Sequence, residues 1–436
     1  MVSQHQELLA LVKQQTEHIT KLENMVFQLQ KENLTLHKQV RKLEARLHIH
    51  ENANTPSSKI RFKKQTKTNN KKRFPGKPKG SKGGGLKLPK PDKIIEHKIN
   101  KPGYKQVGKR IKTIIDFVDN PIEVVQHIIF QYKTPDGNII EANHNLPNGV
   151  YGKNLQAFVT MLKGRAGISH ETISDLIQSI RPDISYCPAT NLNITHSIST
   201  ALEPVRNQIL ETIRTGEYCQ MDETGLREDG QNGYAWIACN PTNAIYEYDS
   251  TRSGGVAQRM LGKNFDNFVV CDGYGGYNGY QRQRCWAHLL REFRELVEIH
   301  KELERDKDYL KNLYVRAVDA KNKPPDERTR IVKELDGEDE LGSFIARLEN
   351  KKCSKRFATT LKNARLNLFT GVIYPRIPLT NNHAERMIRK IVVHRNIMGC
   401  IRNEKGERFI NNTMSCIQTW RLQNTSVYEN LKQYTT

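Results

Sequence analysis

The chain has 436 residues, of which 37% are hydrophobic, so it is long enough to form two or three domains with substantial cores. Its 69 lysines and arginines exceed its 47 aspartates and glutamates by 22, and this formal charge of +22 favours a polyanionic partner. Because no run of about twenty apolar residues occurs and the N-terminus lacks an apolar signal core, we expect neither membrane insertion nor export. Nucleic acid is therefore the leading candidate partner.

The eight cysteines are scattered along the chain, and no two of them form a C-x-x-C pair. Several lie in apolar runs such as "FVVC" and "AWIAC", where a free cysteine behaves as a small buried hydrophobe. This usage fits a reducing cytosol and does not fit a zinc ribbon. We expect a cytoplasmic, nucleoid-associated protein.

Residues 1–51 carry a heptad pattern. Steps of seven from Val12 give mostly β-branched residues, and the positions three residues further on are mostly leucine. This combination favours a parallel two-stranded coiled coil, and Asn33 on the seam would fix its register. A lone amphipathic helix packed on its own chain is the alternative. We expect a leucine zipper that joins two copies of the chain.

Residues 52–101 form a basic segment rich in glycine and proline, here called the basic arm. Between residues 59 and 93 there are fourteen lysines and arginines and one acid, Asp92. The segment has too little apolar surface for a core, so we expect it to be disordered. A solubilising linker would not need this density of charge, whereas a DNA-binding arm would, with salt-dependent contacts to phosphates. The arm residues expected to contact DNA are Lys63, Lys64, Lys71, Lys72, Arg73, Lys77 and Lys79.

Residues 102–200 return to a globular pattern. The stretch "IIFQYKTPDGNII" predicts two short strands joined by a Pro-Asp-Gly turn. The stretch "NLQAFVTMLKGRAGISHETISDLIQSI" predicts two helices with a glycine turn between them, and Ser169 is the expected N-cap of the second. This pair fits a DNA-reading helix-turn-helix and an ordinary helical hairpin equally well. We expect a small mixed DNA-binding region.

The remaining chain has an α/β pattern interrupted by a helical stretch. In residues 201–295, three strands ("YCQMDETGL", "GYAWIACN", "AIYEYDST") precede a helix, a fourth strand "NFVVC" and the helix "RCWAHLLREFRELVEIH". Meandering strands followed by alternating helix and strand predict a mixed sheet. Residues 296–375 are charged and helical, with "KNKPPDERTR" as a hinge. Residues 376–436 are helical around "NNHAERMIRKIVVHR".

Three carboxylates occupy distinctive places in this α/β region. Asp222 lies in the middle of the first strand, and Asp272 follows the fourth strand where the glycine-rich "GYGGY" loop begins. Sites in α/β sheets gather at such strand ends. Glu385 is the only acid in "LTNNHAERMIRK". Each acid alone has an ordinary explanation as a capping or surface residue.

Together the three carboxylates indicate a metal-dependent phosphodiester chemistry. Mg²⁺ prefers carboxylates, water and substrate phosphates as ligands. Two such ions about 4 Å apart activate an attacking water or 3′-hydroxyl and stabilise the leaving oxygen at phosphorus. The surrounding cations, including Arg389 and Lys390, would then bind DNA phosphates, although Arg389 could also pair with Glu385 four residues earlier.

The blocks "MDETGL", "VVCDGYGGY", "RCWAHLLREF", "YPRIPLTNNHAERMIRK" and "FPGKPKGSKGG" resemble the IS66-type insertion-sequence transposases, a DDE group with a ribonuclease H-like catalytic core. The resemblance implies that Asp222, Asp272 and Glu385 are the catalytic metal ligands. It implies Mg²⁺ as cofactor, with Mn²⁺ as a substitute, and residues 296–375 as an insertion in the catalytic domain. It further implies that element ends and target DNA are partners, and accessory element-encoded proteins are compatible with it.

Family members usually carry a cysteine-rich zinc-binding segment after the basic arm. Residues 96–150 contain no cysteine, so we expect no zinc there. His288 in "CWAHLL" matches a family motif and is a secondary candidate near the metals, although a packed helix histidine fits as well. Glu223 should point away from Asp222 on a regular strand. A non-catalytic DNA-binding protein and a simple nuclease are the competing interpretations of the whole chain.

Overall fold

The computed structural model describes residues 121–133, 135, 138–141, 147, 149–262 and 265–435, together with a set of residues between 15 and 40. The chain divides into two compact units, one of residues 1–54 with 143–436 and the other of residues 55–142. Among the described residues, none of the helices has the length and apolar character needed to cross a membrane. The described N-terminal residues are 15, 21–22, 25–26, 28–30, 32–33, 35–37 and 39–40.

The described residues between 15 and 40 are helical and exposed. Leu22, Val26, Leu29 and Leu36 of the predicted seam expose between 51% and 61% of their surface, so this chain alone leaves the seam uncovered. The coiled coil needs a second copy and stays a prediction. The basic arm, with all its expected DNA-contacting residues, lies outside the described residues.

In the unit of residues 55–142, the described residues include a small antiparallel hairpin. Its strands are β1 (Gln131–Lys133) and β2 (Ile139–Glu141), with Tyr132 opposite Ile140. The prediction of two short strands around the Pro-Asp-Gly turn is confirmed.

In the described range from residue 149 onward, four helices precede the main sheet. The predicted N-cap is confirmed, because Ser169 Oγ accepts a hydrogen bond from the Thr172 N–H at 3.0 Å. Gly167 has a φ of 73°, a left-handed conformation that favours glycine and allows the turn before this cap. The helices are α1 (Lys153–Met161), which continues as a π-helical turn (Leu162–Ala166), α2 (His170–Ile180), α3 (Pro188–Ala201) and α4 (Glu203–Arg214).

The five-stranded sheet confirms the predicted mixed α/β pattern. Its strand order is β5-β4-β3-β6-β7; β3, β4 and β5 are antiparallel, whereas β6 and β7 run parallel to β3. The fifth strand, β7, was not predicted from the sequence. The elements are β3 (Tyr218–Gly225), β4 (Tyr234–Cys239), β5 (Ala244–Asp249), α5 (Gly254–Leu261), β6 (Phe268–Cys271), β7 (Gln281–Arg284) and α6 (Trp286–Ile299).

The helices of residues 304–373 pack together with α6 around one hydrophobic core. Phe293 on α6 packs against Phe357 with ring centroids 4.7 Å apart, and Trp286 is fully buried with its Nε1 donating to the Leu368 carbonyl at 2.7 Å. Trp286 is therefore a core residue. The helices of this segment are α7 (Glu304–Ala320), α8 (Pro325–Leu335), α9 (Ser343–Glu349), α10 (Lys355–Ala364) and α11 (Thr370–Ile373).

The C-terminal helices cover one face and one edge of the sheet. Edge strand β5 would otherwise expose unpaired backbone groups. Three helical side chains accept hydrogen bonds from its N–H groups, because four helical residues advance about as far as two strand residues. The pairs are Ala244 with Thr419, Tyr246 with Ser415 and Tyr248 with Asn411. The helices are α12 (Asn382–Met398), α13 (Glu404–Arg408), α14 (Ser415–Leu422) and α15 (Val427–Lys432), with a π-helical turn (Phe409–Met414) before α14.

Candidate active site

Asp222 lies on β3, and Asp272 directly follows the neighbouring parallel strand β6, close enough for its charge to raise the pKa of Asp222. The register of β3 and β6 sets Gln220 opposite Val270, so the residues two positions further on are Asp222 and Asp272. Neighbouring strands are about 4.8 Å apart. β6 ends at Cys271, which confirms that Asp272 follows the carboxyl end of the fourth strand.

The segment before α12 is attached to the same strands by hydrogen bonds. Asn381 Nδ2 donates to the Met221 carbonyl at 2.7 Å, one residue before Asp222. Gln220 Nε2 donates to the Thr380 carbonyl at 2.9 Å, and the Asn381 N–H donates to Cys285 Sγ at 3.0 Å. These bonds fix the start of α12, and Glu385 lies in its first turn.

Asp222 faces the helix that carries Glu385. Asp222 pairs with Ile237 across β3 and β4, and cross-strand partners point to the same face of a sheet. Ile237 belongs to the buried cluster that contains Ala384 and Ile388 of α12. Glu385 follows Ala384 directly, so the strand and helix present their carboxylates to a common region.

The pKa of Asp222 is raised by its burial and by the neighbouring carboxylates. Burial raises the pKa of Asp222 to about 7, and the negative charges of Glu223, Asp272 and Glu385 act in the same direction. The Glu223 N–H donates to Asp222 Oδ1 at 2.9 Å and opposes the shift. A bound cation would stabilise the charged form of Asp222, because the carboxylate is largely buried and is repelled by Asp272 and Glu385.

Glu385 is only partly neutralised by the cations around it. Its Oε2 accepts a hydrogen bond from Arg291 at 3.3 Å, whereas its buried Oε1 has no hydrogen-bond partner. His288 Nδ1 lies 3.5 Å from this Oε1 and is also buried without a hydrogen bond. Burial lowers the pKa of His288, against the opposing effect of Glu385. The uncommitted carboxylate oxygen fits a hard cation such as Mg²⁺.

Glu223 points away from Asp222, as expected, and its carboxylate is fully occupied. It pairs with Trp236 on the other face of the sheet. Arg252 Nη2 donates to its Oε1 at 2.6 Å and the Tyr277 hydroxyl donates to its Oε2, leaving 2% of the side chain exposed. This acid therefore supports the structure of the glycine-rich loop.

The loop after Asp272 is built around a buried arginine. The Tyr274 N–H donates to Asp272 Oδ1 at 2.8 Å and turns the chain. A Cβ at Gly273 would lie 2.8 Å from the Arg284 guanidinium, so glycine leaves room for the arginine without displacing it. Arg284 is 6% exposed and donates to Glu292 at 3.2 Å. Sequence reasoning missed Arg284 because it lies in a strand without an apolar pattern.

The arginine that contacts Glu385 is Arg291 on α6, which sequence reasoning did not select. Arg291 is three residues after His288, so both lie on the α6 face that meets α12. Arg389, the sequence candidate on α12, is exposed. Lys390 is half-buried, and burial lowers the pKa of its amine.

A comparison with protein families finds a match. The model of the family described as "Transposase IS66 family" matches residues 148–408, more than half of the chain. This range includes Asp222, Asp272 and Glu385. A search of curated proteins finds no match.

Proposed function

The chain belongs to the IS66 family of transposases, and we propose that it is an active DNA transposase. It would cut the ends of its element and transfer the 3′-hydroxyl strand to target DNA by two-metal phosphodiester chemistry. Asp222, Asp272 and Glu385 are the proposed catalytic ligands. The observation that carries the proposal is the partnerless carboxylate oxygen of Glu385, on a helix tied to the strand of Asp222.

The fold assignment is part of this proposal. Three antiparallel strands continued by two parallel strands, in the order β5-β4-β3-β6-β7, support a ribonuclease H-like core. Residues 201–295 and 376–436 would form the two parts of this catalytic domain. Residues 296–375, whose core is shared with α6, would form the insertion.

The acids supply a set of oxygen donors, which suits Mg²⁺ or Mn²⁺. Bound there, the ions would activate the attacking oxygen and stabilise the leaving oxygen. Asn381 holds the start of α12 against β3, so it positions Glu385 relative to Asp222. Arg291 and His288 orient the Glu385 carboxylate from α6. Arg389, exposed on α12, would contact a DNA phosphate, and Lys390 would assist it.

DNA affinity would come mainly from the basic arm, through Lys63, Lys64, Lys71, Lys72, Arg73, Lys77 and Lys79. The coiled coil of residues 1–51 would hold two copies together on the two element ends. Replacing Leu29 and Leu36 with glutamate should convert a dimer to a monomer, as measured by light scattering. A parent protein that is already monomeric at micromolar concentration would contradict the zipper.

The catalytic assignment is tested on DNA that flanks the gene. Asp222→Asn, Asp272→Asn and Glu385→Gln should each abolish cleavage and strand transfer, because each keeps the side-chain shape and removes a metal-binding charge. DNA binding should survive, since lysines and arginines carry it.

The matched control is Glu404→Gln. Glu404 is an acid of the same C-terminal region whose side chain is 77% exposed and paired with Arg408. Its variant should cut normally. If Glu385→Gln cuts in Mg²⁺ while Glu404→Gln does not, the third ligand is misassigned. If the parent protein binds its ends and never cuts them under these conditions, the chain is a non-catalytic DNA-binding derivative.

A further inference from the structure

A second group of metal-ligating side chains lies in the helical insertion, apart from the three site acids. His300 directly follows α6, Glu302 lies in the 3₁₀ turn Lys301–Leu303, and Cys353 lies in the turn between α9 and α10. One nitrogen, one carboxylate oxygen and the sulfur of these residues all lie within 4.8 Å of one another. They line an open surface pocket with Lys351 and Lys352.

The distance between His300 and Glu302 is close to that between two ligands of one tetrahedral cation. His300 Nδ1 lies 3.5 Å from Glu302 Oε1, which is long for a strong hydrogen bond. Nitrogen and oxygen ligands about 2.0–2.2 Å from a tetrahedral Zn²⁺ are about 3.4 Å apart. The sulfur of Cys353 lies within 4.8 Å of a His300 nitrogen and a Glu302 carboxylate oxygen, and the Glu302 side chain is 59% exposed.

The donor types select the metal. A thiolate, an imidazole nitrogen and one carboxylate form a borderline-soft set that favours Zn²⁺, whereas Mg²⁺ and Ca²⁺ prefer oxygen ligands alone. The three protein ligands leave a fourth position for water. Cys353 hydrogen-bonds to Glu302 as a thiol, so binding would release its proton to solvent.

The surrounding charges permit a cation. The amine of Lys351 donates to Asp306 Oδ2 at 2.7 Å, and Arg347 also pairs with this buried aspartate. Lys351 is therefore directed toward Asp306 and partly neutralised. The turn that carries Cys353 is rigid, because the adjacent Ser354 is buried and its hydroxyl donates to the Leu348 carbonyl at 2.7 Å.

We propose that His300, Glu302 and Cys353 bind one Zn²⁺ that staples the end of α6 to the α9–α10 turn. The sequence alone predicts no zinc site, because the eight cysteines form no C-x-x-C pair and residues 96–150 contain none; this site differs in combining one cysteine with a histidine and a glutamate. α6 also carries His288 and Arg291, so the staple would hold the helix that supports Glu385. The inference does not depend on catalysis.

The test measures metal content and spectra of the full-length protein. After dialysis against Zn²⁺ at pH 7.5, Cys353→Ser and His300→Ala should each retain one equivalent less than the parent by mass spectrometry of the metal. Co²⁺ in place of Zn²⁺ should give the sulfur-to-cobalt charge-transfer band in the parent and lose it in Cys353→Ser. Circular dichroism without metal checks that the variants are folded.

Two control variants show whether the zinc equivalent lost in Cys353→Ser and His300→Ala was bound at the proposed site. Cys187→Ser removes an exposed free thiol in another part of the chain and should retain the full zinc content. Glu385→Gln alters the other group of close ligand atoms, which comprises Cys285, His288 and Glu385, and should keep the charge-transfer band. The proposal is overturned if Cys353→Ser retains as much zinc as the parent, or if the band is lost in Glu385→Gln and retained in Cys353→Ser.

Discussion

Asp222 and Glu223 are consecutive on β3 and point to opposite faces of the sheet. Their carboxylates differ in how fully they are paired. Glu223 is almost completely covered, and Arg252 and Tyr277 occupy both of its oxygens. Asp222 has a hydrogen bond only from the next backbone N–H among the bonds described for its side chain, and other acids surround it. Removing one partner of a paired, buried carboxylate destabilises a fold, whereas a crowded, poorly paired carboxylate is stabilised by protonation or by a bound cation. The pairing of each acid therefore indicates its role.

The largest expected effect separates these two acids. Asp222→Asn should abolish cleavage and leave the apo fold intact, because it removes a repelled charge. Glu223→Gln should keep cleavage per folded molecule while lowering the free energy of unfolding by about 1–3 kcal/mol, since it breaks a charge-assisted pair. Arg252 is 45% exposed, which places the cost toward the lower value.

Activity assays at 20 °C and denaturant titrations check both variants. An inactive but fully stable Glu223→Gln, with an active Asp222→Asn, would reverse the assignment of the two faces.

The next largest effect is on DNA affinity, and it distinguishes the basic arm, which should bind DNA, from Asp222, which should act only in cleavage. Deleting residues 59–93 removes fourteen basic residues and should weaken DNA binding at 50 mM salt by orders of magnitude. It should also flatten the plot of log affinity against log salt, because each lost phosphate contact lowers the slope by about 0.9. Asp222→Asn should keep the parent slope. An unchanged slope after the deletion would mean that the phosphate contacts lie in other parts of the chain.

A smaller effect is the stabilisation of the folded protein by Mg²⁺, which measures metal binding without a DNA-cleavage reaction. Mg²⁺ at a hundredfold excess over its dissociation constant should stabilise the parent protein by about 2.7 kcal/mol. Glu223→Gln should show the same gain, and Asp222→Asn should not. Thermal melts in Mg²⁺ and in chelator measure the difference. Equal gains in all three proteins would show that Mg²⁺ binds away from Asp222.

The sequence predicted the elements whose local patterns are strong. The meandering strands, the Ser169 cap and the helix from Asn382 follow alternation, capping and helical spacing, and each is confirmed. β7 was missed because its sequence, "QRQR", has no apolar residue. Gln283 in this strand is fully buried, and its amide is satisfied by backbone groups of Leu368 and Gly371, more than eighty residues away.

The same limit applies to the site. Asp222, Asp272 and Glu385 are recognisable from their places on strands and helix, and their roles stay a proposal. Arg291 and Asn381 were not selected, because their partners Glu385 and Met221 are distant in the chain. Such contacts follow from packing, which local periodicity does not encode.

The smallest expected effect concerns the pH dependence of stability, through the buried histidine His394 on α12. His394 is 4% exposed, and its Nε2 donates to the Gly164 carbonyl at 3.2 Å. Burial lowers its pKa from 6.5 to about 4, and the charge of Lys163 acts in the same direction. Like Asp222, His394 is destabilised in its charged form. For a histidine, however, the unfavourable form appears at low pH.

Proton linkage determines whether His394 raises or lowers the free energy of unfolding as the pH falls. At pH 8 both folded and unfolded His394 are neutral, whereas at pH 5 the unfolded chain binds a proton that the folded chain largely excludes. His394 should therefore cost the parent about 2 kcal/mol of unfolding free energy at pH 5 relative to pH 8. His394→Gln keeps a hydrogen-bond donor and does not titrate, so its loss over this range should be smaller by that amount. His170, whose pKa burial also lowers to about 4, is present in both proteins and contributes equally to each. Denaturant titrations at pH 5 and pH 8 measure the two losses, and equal losses would mean that His394 is protonated in the folded protein.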